Sequence, residues 1–248
     1  MKKIPVALQL YSVREETAKD FAGTVAAVAR MGYRGVEMAG TGNLDATGAK
    51  AALDAAGLTV AGMHVGIDAL RRNFNEVVTD AGLFGTRDVV CSWLPPALYV
   101  SAAAAQRIGE EFNSIGAALR AFGLRLSFHN HNSEFRLIDG KPILSWMLGA
   151  AEPRNLCAQI DVYWAHAGGY APARILRELG DRCPLIHLKD EKEIGLGPVD
   201  FPPIFAAVES VGTTEWYVVE QEWYNHPPLE SVRLCLKQLK EWGIGTEG

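Results

Sequence analysis

Pro5-Val6-Ala7-Leu8-Gln9-Leu10-Tyr11-Ser12-Val13-Arg14 is an apolar run that passes into a Tyr-Ser-Val-Arg segment. A first strand opening a dinucleotide-binding sheet would lead into a G-x-G-x-x-G turn, whose glycines let a pyrophosphate approach the backbone. No nucleotide cradle of that kind follows here. The run is nearly continuously apolar instead of alternating, as expected of a parallel strand covered on both faces.

Seven further runs of this type follow at Tyr33 to Met38, Thr59 to Val65, Asp88 to Trp93, Leu124 to His129, Leu156 to Val162, Leu185 to Leu188 and Trp216 to Glu220. Between them apolar residues recur at helical spacing. After the first strand, Thr17-Ala18-Lys19-Asp20 resembles a capping box, Phe21, Val25 and Val28 share a face, and Gly32 marks a stop. Before the fifth, Ser101 heads a stripe of Ile108, Phe112, Ile115, Leu119 and Phe122, with Gly123 beyond its end. After the eighth, Pro227 and Pro228 precede Leu229, Val232, Leu236 and Leu239. Eight β/α units without a break in composition predict an α/β fold, a single closed (β/α)8 barrel domain over residues 1–248, and the chain length suits it. An open doubly wound sheet is the alternative.

Composition narrows the function classes. With 48% hydrophobic and 21% charged residues the chain is globular, and a net charge of −5 gives no footprint for a phosphate backbone, so nucleic acid is not expected as a partner. The apolar stretch after the N-terminus is interrupted by Gln9, Ser12, Arg14 and Glu15, too soon for a signal sequence, and nothing approaches a membrane span. A cytoplasmic location and a small-molecule partner are the expectations, and a homo-oligomer is compatible with both. Cys91, Cys157, Cys183 and Cys235 lack any paired spacing and read as reduced core thiols.

Almost every strand ends, at its C-terminal side, in a side chain able to bind metal or exchange protons: Gln9, Glu37, His64, His129 with His131, Asp161, His187 and Glu220. In a closed barrel those ends form one ring, where active sites of this architecture sit. Glu220 follows Trp-Tyr-Val-Val and Asp161 follows Leu-Cys-Ala-Gln-Ile, so both carboxylates are drawn into an apolar interior. A buried charge there costs several kcal/mol unless a cation or donors compensate it, and two acids on different strands call for a shared cation. Parity leaves two choices open. Glu220 and Glu222 point the same way along an extended strand, as do His129 and His131.

Six segments together, Leu8-Gln-Leu-Tyr-Ser-Val-Arg14, Gly32-Tyr-Arg-Gly-Val-Glu37, His129-Asn-His-Asn-Ser-Glu-Phe135, Ile160-Asp-Val-Tyr-Trp164, Ile186-His-Leu-Lys-Asp190 and Val219-Glu-Gln221, resemble the sugar phosphate isomerase/epimerase family of xylose isomerase-like TIM barrels. The resemblance implies one divalent ion (Mn, Mg, Co or Zn) held by Glu134, Asp161, His187 and Glu220. It implies proton abstraction next to a carbonyl of a keto sugar or sugar derivative, with Glu134 and Glu220 carrying the proton on opposite faces of the carbon. It thereby favours Glu220 over Glu222, which becomes a rim residue.

Around that centre Glu37 and His64 are expected to hold substrate hydroxyls, and His131 to donate to a substrate or ligand oxygen. Trp93, Trp164 and Tyr11 offer apolar faces for a sugar ring. Lys189 is expected either to contact substrate or to pair with Asp190 at the mouth. The chain departs from its relatives at Asn132-Ser133, where they carry Asp-Phe, and at Gly195-Leu196-Gly197, where many have Gly-Glu-Gly. An inosose-type dehydratase would share the site and the first step. A three-metal nuclease of the same fold and a non-catalytic sugar-binding barrel are the other readings, the first opposed by the charge and the ligand count.

Overall fold

The computed structural model describes residues 3–245. Eight parallel strands close into a barrel in sequence order: β1 Val6–Gln9, β2 Gly35–Met38, β3 Thr59–Val65, β4 Asp88–Cys91, β5 Arg125–His129, β6 Cys157–Asp161, β7 Leu185–Leu188 and β8 Trp216–Val219. Closure runs through β1 and β8, with Val6 opposite Tyr217 and Leu8 opposite Val219. All eight predicted strands form, so the closed barrel stands over the open sheet. A two-stranded hairpin, Leu137–Ile138 with Lys141–Pro142, lies outside it.

Helices follow the strands and pack their apolar stripes on the outside of the barrel. Ser101 caps Ala102–Arg120 by accepting the Ala104 N–H, and Pro228 opens Pro228–Glu241 where its missing N–H costs nothing. The first helix differs from expectation. It starts at Arg14 instead of after Thr17, and Asp20 leaves helical geometry inside it. The Asp20 carboxylate accepts the Gly23 N–H, so this residue re-caps the chain in the middle of the helix. The other end behaves as read, with Gly32 at φ 101°. The four cysteines are free and buried.

The barrel interior is layered. Barrels of this type usually fill with branched apolar side chains, but here the small cluster of Ala7, Ala61 and Val218, with Trp216 against it, is the apolar layer. Above it, toward the C-terminal ends, the inward positions are polar. On β2 and β3 the register slips between Val36 and Glu37, which brings Gly62 beside Glu37. A Cβ on Gly62 would stand 3.0 Å from the Glu37 carboxylate, so the absent side chain is what lets that carboxylate sit inside the barrel.

Candidate active site

Glu37 is fully buried at the centre of the upper layer. Its Oε2 accepts from Gln9 Nε2 at 2.6 Å, from His187 Nε2 at 2.6 Å and from His64 Nε2 at 3.0 Å, while Oε1 accepts from Gln159 Nε2. Burial alone would raise this carboxyl, but His64 and His187 hold it well below the usual carboxylate range. Gln159 in turn accepts, at Oε1, from His64 Nε2 at 2.8 Å and His129 Nδ1 at 3.0 Å. Side chains of five strands, β1, β2, β3, β6 and β7, thus meet around one charge, and His129 of β5 joins them through Gln159.

On this lattice stands a denser group. His129, Asp161, His187 and Glu220 each present one ligand atom, and all four atoms lie within 4.8 Å of one another. His187 Nδ1 faces Glu220 Oε2 at 3.1 Å. Asp161 accepts the Trp164 N–H at 2.8 Å through Oδ1, capping the short helix Val162–Ala167, whereas its Oδ2 is buried with no partner among the described residues. Burial, helped by the charge of Glu220 and opposed by Lys189, pushes the Asp161 carboxyl up to about 7. Against burial, Glu37 and Glu220 push His187 up to about 10. His129 goes the other way, held well below its ordinary value by burial and by the charge on His187.

Lys189 is buried next to this group and pairs with Glu222, with Glu220 Oε2 at 3.8 Å. Its ammonium stands 4.8 Å from the Trp164 ring centre and 5.2 Å from that of Trp223. The expected Lys189–Asp190 pair does not form. The Asp190 carboxylate is consumed by the backbone N–H groups of Glu191, Gly195, Gly197 and Val199. It folds the loop after β7, which holds the Gly195-Leu196-Gly197 segment.

Glu134, expected as a fourth ligand, is buried but is not in the group of four. One carboxylate oxygen accepts from the Tyr99 hydroxyl and from Ser133 Oγ at 3.1 Å, and the other from the His131 backbone N–H at 2.7 Å. Tyr99 escaped the sequence reading because it lies in the loop turn Pro96–Tyr99, away from any strand end. Gln159 escaped it as well. It lies two residues before Asp161 and so shares its face, and that parity was the signal available.

Above the group opens a cavity of about 410 Å³, within the range of small-ligand sites. His64, His129, His131, Glu220 and Glu222 line it. Tyr11 and Trp93 form its rim with half-exposed rings. Of the expected substrate contacts, His64, His131 and Trp93 therefore face the cavity, while Glu37 and Lys189 are buried beneath or beside it. Trp164 stands against His131, ring centres 5.6 Å apart, and its Nε1 is buried without a partner. Among the described residues neither Lys nor Arg lines the cavity.

Solved structures of the same shape span several chemistries. A sugar phosphate isomerase/epimerase from Parabacteroides distasonis superposes with TM-score 0.87 at 22% identity, covering 96% of this chain and 98% of that one. A family 2 AP endonuclease from Brucella melitensis gives 0.77 at 17%, covering 96% and 99%. A 3-keto-D-glucoside 4-epimerase from E. coli gives 0.75 at 15%, covering 96% and 100%. At these identities the likeness is one of fold, and a fold does not fix a reaction. No protein of curated function matches the sequence. Among the described residues no helix is long and apolar enough to cross a membrane. The sequence pattern of one family matches residues 25–242, most of the chain, and on that ground the protein belongs to the xylose isomerase-like TIM barrel family.

Proposed function

We propose that the protein is a divalent-metal-dependent isomerase or epimerase of a keto sugar or sugar derivative, acting by proton abstraction next to a carbonyl. One observation carries the reading. Asp161, His187 and Glu220 come from the ends of three strands into one buried group, Glu220 lines the cavity above it, and one oxygen of Asp161 is buried with no donor among the described residues. A buried carboxylate oxygen without a partner costs several kcal/mol unless a cation meets it. The donors, imidazole and carboxylate, suit such an ion.

A divalent ion held there would polarise a substrate carbonyl and ease loss of the neighbouring C–H proton. Glu220 lines the cavity and gives its Oε2 to His187, so its Oε1 is the atom that takes the proton. Glu134, held by the His131 backbone N–H next to the cavity-lining His131 ring, is the second carboxylate, and it returns the proton. Tyr11 and Trp93 provide apolar faces at the mouth. With no Lys or Arg in the lining, an unphosphorylated sugar or polyol fits best.

The test is solvent deuterium uptake into a panel of keto sugars with Mn²⁺ present. Glu220→Gln and Glu134→Gln should each nearly abolish uptake, and Glu222→Gln should leave most of it. Equal loss from all three sinks the assignment. A dehydratase on the same site gives the same uptake but also releases water, which product analysis reads. A protein that binds sugars without any exchange is a binding barrel.

A further inference from the structure

We infer that Glu222 bars anionic substrates from the cavity, by holding for itself a buried cation that would otherwise receive them. The inference deepens the isomerase reading and rests on it: the substrate class it names is a sugar without phosphate or carboxylate at this wall. Lys189 follows directly on β7 and is fully buried. A buried ammonium is costly unless it is paired. Trp164 and Trp223 offer ring faces, with centres at 4.8 and 5.2 Å, and the Glu222 carboxylate offers the charge. Glu220 Oε2, at 3.8 Å, is beyond hydrogen-bond reach. Among the described residues the one hydrogen bond of this ammonium therefore goes to Glu222.

Glu222 lies two residues beyond Glu220 and lines the cavity, with a quarter of its side chain exposed, whereas Lys189 does not line it. One side chain thus touches both the cavity and the hidden cation. The loop that carries it is anchored on either side. Before it, the Gln221 N–H donates to Ser12 Oγ at 2.9 Å. After it, Tyr224 donates its hydroxyl to the Ser12 carbonyl at 2.8 Å, and Asn225 gives its N–H and its side-chain amide to the buried Glu193 at 2.9 and 2.8 Å. A phosphate or carboxylate entering beside Glu222 meets the carboxylates of Glu220 and Glu222 and, among the described residues, no free ammonium or guanidinium. Pairing with Lys189 would require it to evict Glu222 and leave that carboxylate unpaired against a second negative charge, a cost raised only against the wrong ligand. A neutral keto sugar incurs none of it.

Acetate tests this on chelator-stripped protein, without sugar or metal. Glu222→Ala removes a carboxylate on its short stem and leaves a gap of acetate's size beside Lys189. In calorimetry, acetate at about ten times its Kd should raise the Tm of Glu222→Ala by roughly 3–6 °C over chloride at equal ionic strength. Wild type should gain nothing, and neither should the double variant Glu222→Ala, Lys189→Met. Glu222→Ser gives the same reading if Glu222→Ala does not fold. If wild type gains as much as Glu222→Ala, anions displace Glu222 and the barrier does not exist. If the gain of Glu222→Ala is absent, or survives Lys189→Met, Lys189 is not the cation held in reserve and the inference falls. Either failure leaves proton abstraction untouched, since deuterium uptake tests that reading. A chain that exchanges no keto sugar loses the isomerase reading while the rescue by acetate still stands.

Discussion

At the N-terminal end of the barrel Arg125 grips Asp88 with two hydrogen bonds, at 2.6 and 2.9 Å, and Glu215 with a third at 2.9 Å, and Arg87 adds a second hold on Glu215. Two guanidinium groups answer two carboxylates, and the charges close on themselves. At the opposite end Glu37, Asp161 and Glu220 are buried among three histidines, and Lys189 is the cation beside them, already paired with Glu222. One oxygen of Asp161 has nothing to bond. The same barrel thus carries a balanced polar layer at one mouth and an unbalanced one at the other, separated by Ala7, Ala61 and Val218. A balanced network serves the fold, and an excess of buried negative charge is what the proposed divalent ion would answer.

Breaking the balanced end should have the largest effect on the fold and none on the site. Arg125→Ala leaves Asp88 buried and unpaired, which costs about 3–5 kcal/mol. For a chain of this length that lowers Tm by roughly 6–20 °C in calorimetry. Zn²⁺ affinity measured well below the transition should not change. A fall in affinity comparable to the loss of stability would mean that the two ends are coupled and the contrast is false.

At the upper end Glu37→Gln tests the opposite. The amide can donate as well as accept, so the orientation of Gln159 and of the imidazoles bonded to Glu37 is no longer fixed. Metal affinity should drop roughly 10–100-fold, the usual cost of an outer partner. That corresponds to about 1.4–2.7 kcal/mol. A drop in Tm with unchanged affinity would instead make Glu37 a structural group.

What could be read in advance follows the same division. The eight strands were legible because continuous apolar runs of β-branched residues between turn signals leave little else to form. The hairpin at Leu137–Pro142 was not, since strands of two residues carry no periodicity. Asp161, His187 and Glu220 were visible as polar residues ending apolar runs. His129 was visible too, but it shares its parity with His131, and what separates them is that the fold buries His129 against Gln159. Tyr99 and the capture of Asp190 by its own loop depend on how loops fold back, for which one sequence offers no period.

The smallest effect concerns pH, and here the two ends should separate on opposite sides of neutrality. For Glu215 burial acts upward, but the bonds from Arg125 and Arg87 leave its carboxyl below the ordinary value. Its contribution is present above the usual ~4.3 and is lost only as pH falls beneath it. His187 is raised to about 10, so its contribution is full below the usual ~6.5 and drains away as pH climbs toward 10. Between pH 7 and 8.5 few other groups change sides. Asp161, raised to about 7, gives up the second half of its proton early in this window and adds at most about 0.4 kcal/mol, and His129 and His131, lowered by burial, have no further charge to lose. The buried thiols begin to count only above ~8.5. In that window metal-free protein should lose at most about 1.4 kcal/mol per pH unit, roughly 3–6 °C in Tm. A ligating His187 must give up the same proton, so the rise in Tm on adding Zn²⁺ should grow across the window. A metal-induced rise that stays constant from pH 7 to 8.5 would show that His187 carries no proton for the ion to displace, and would take the charge imbalance of the upper end with it.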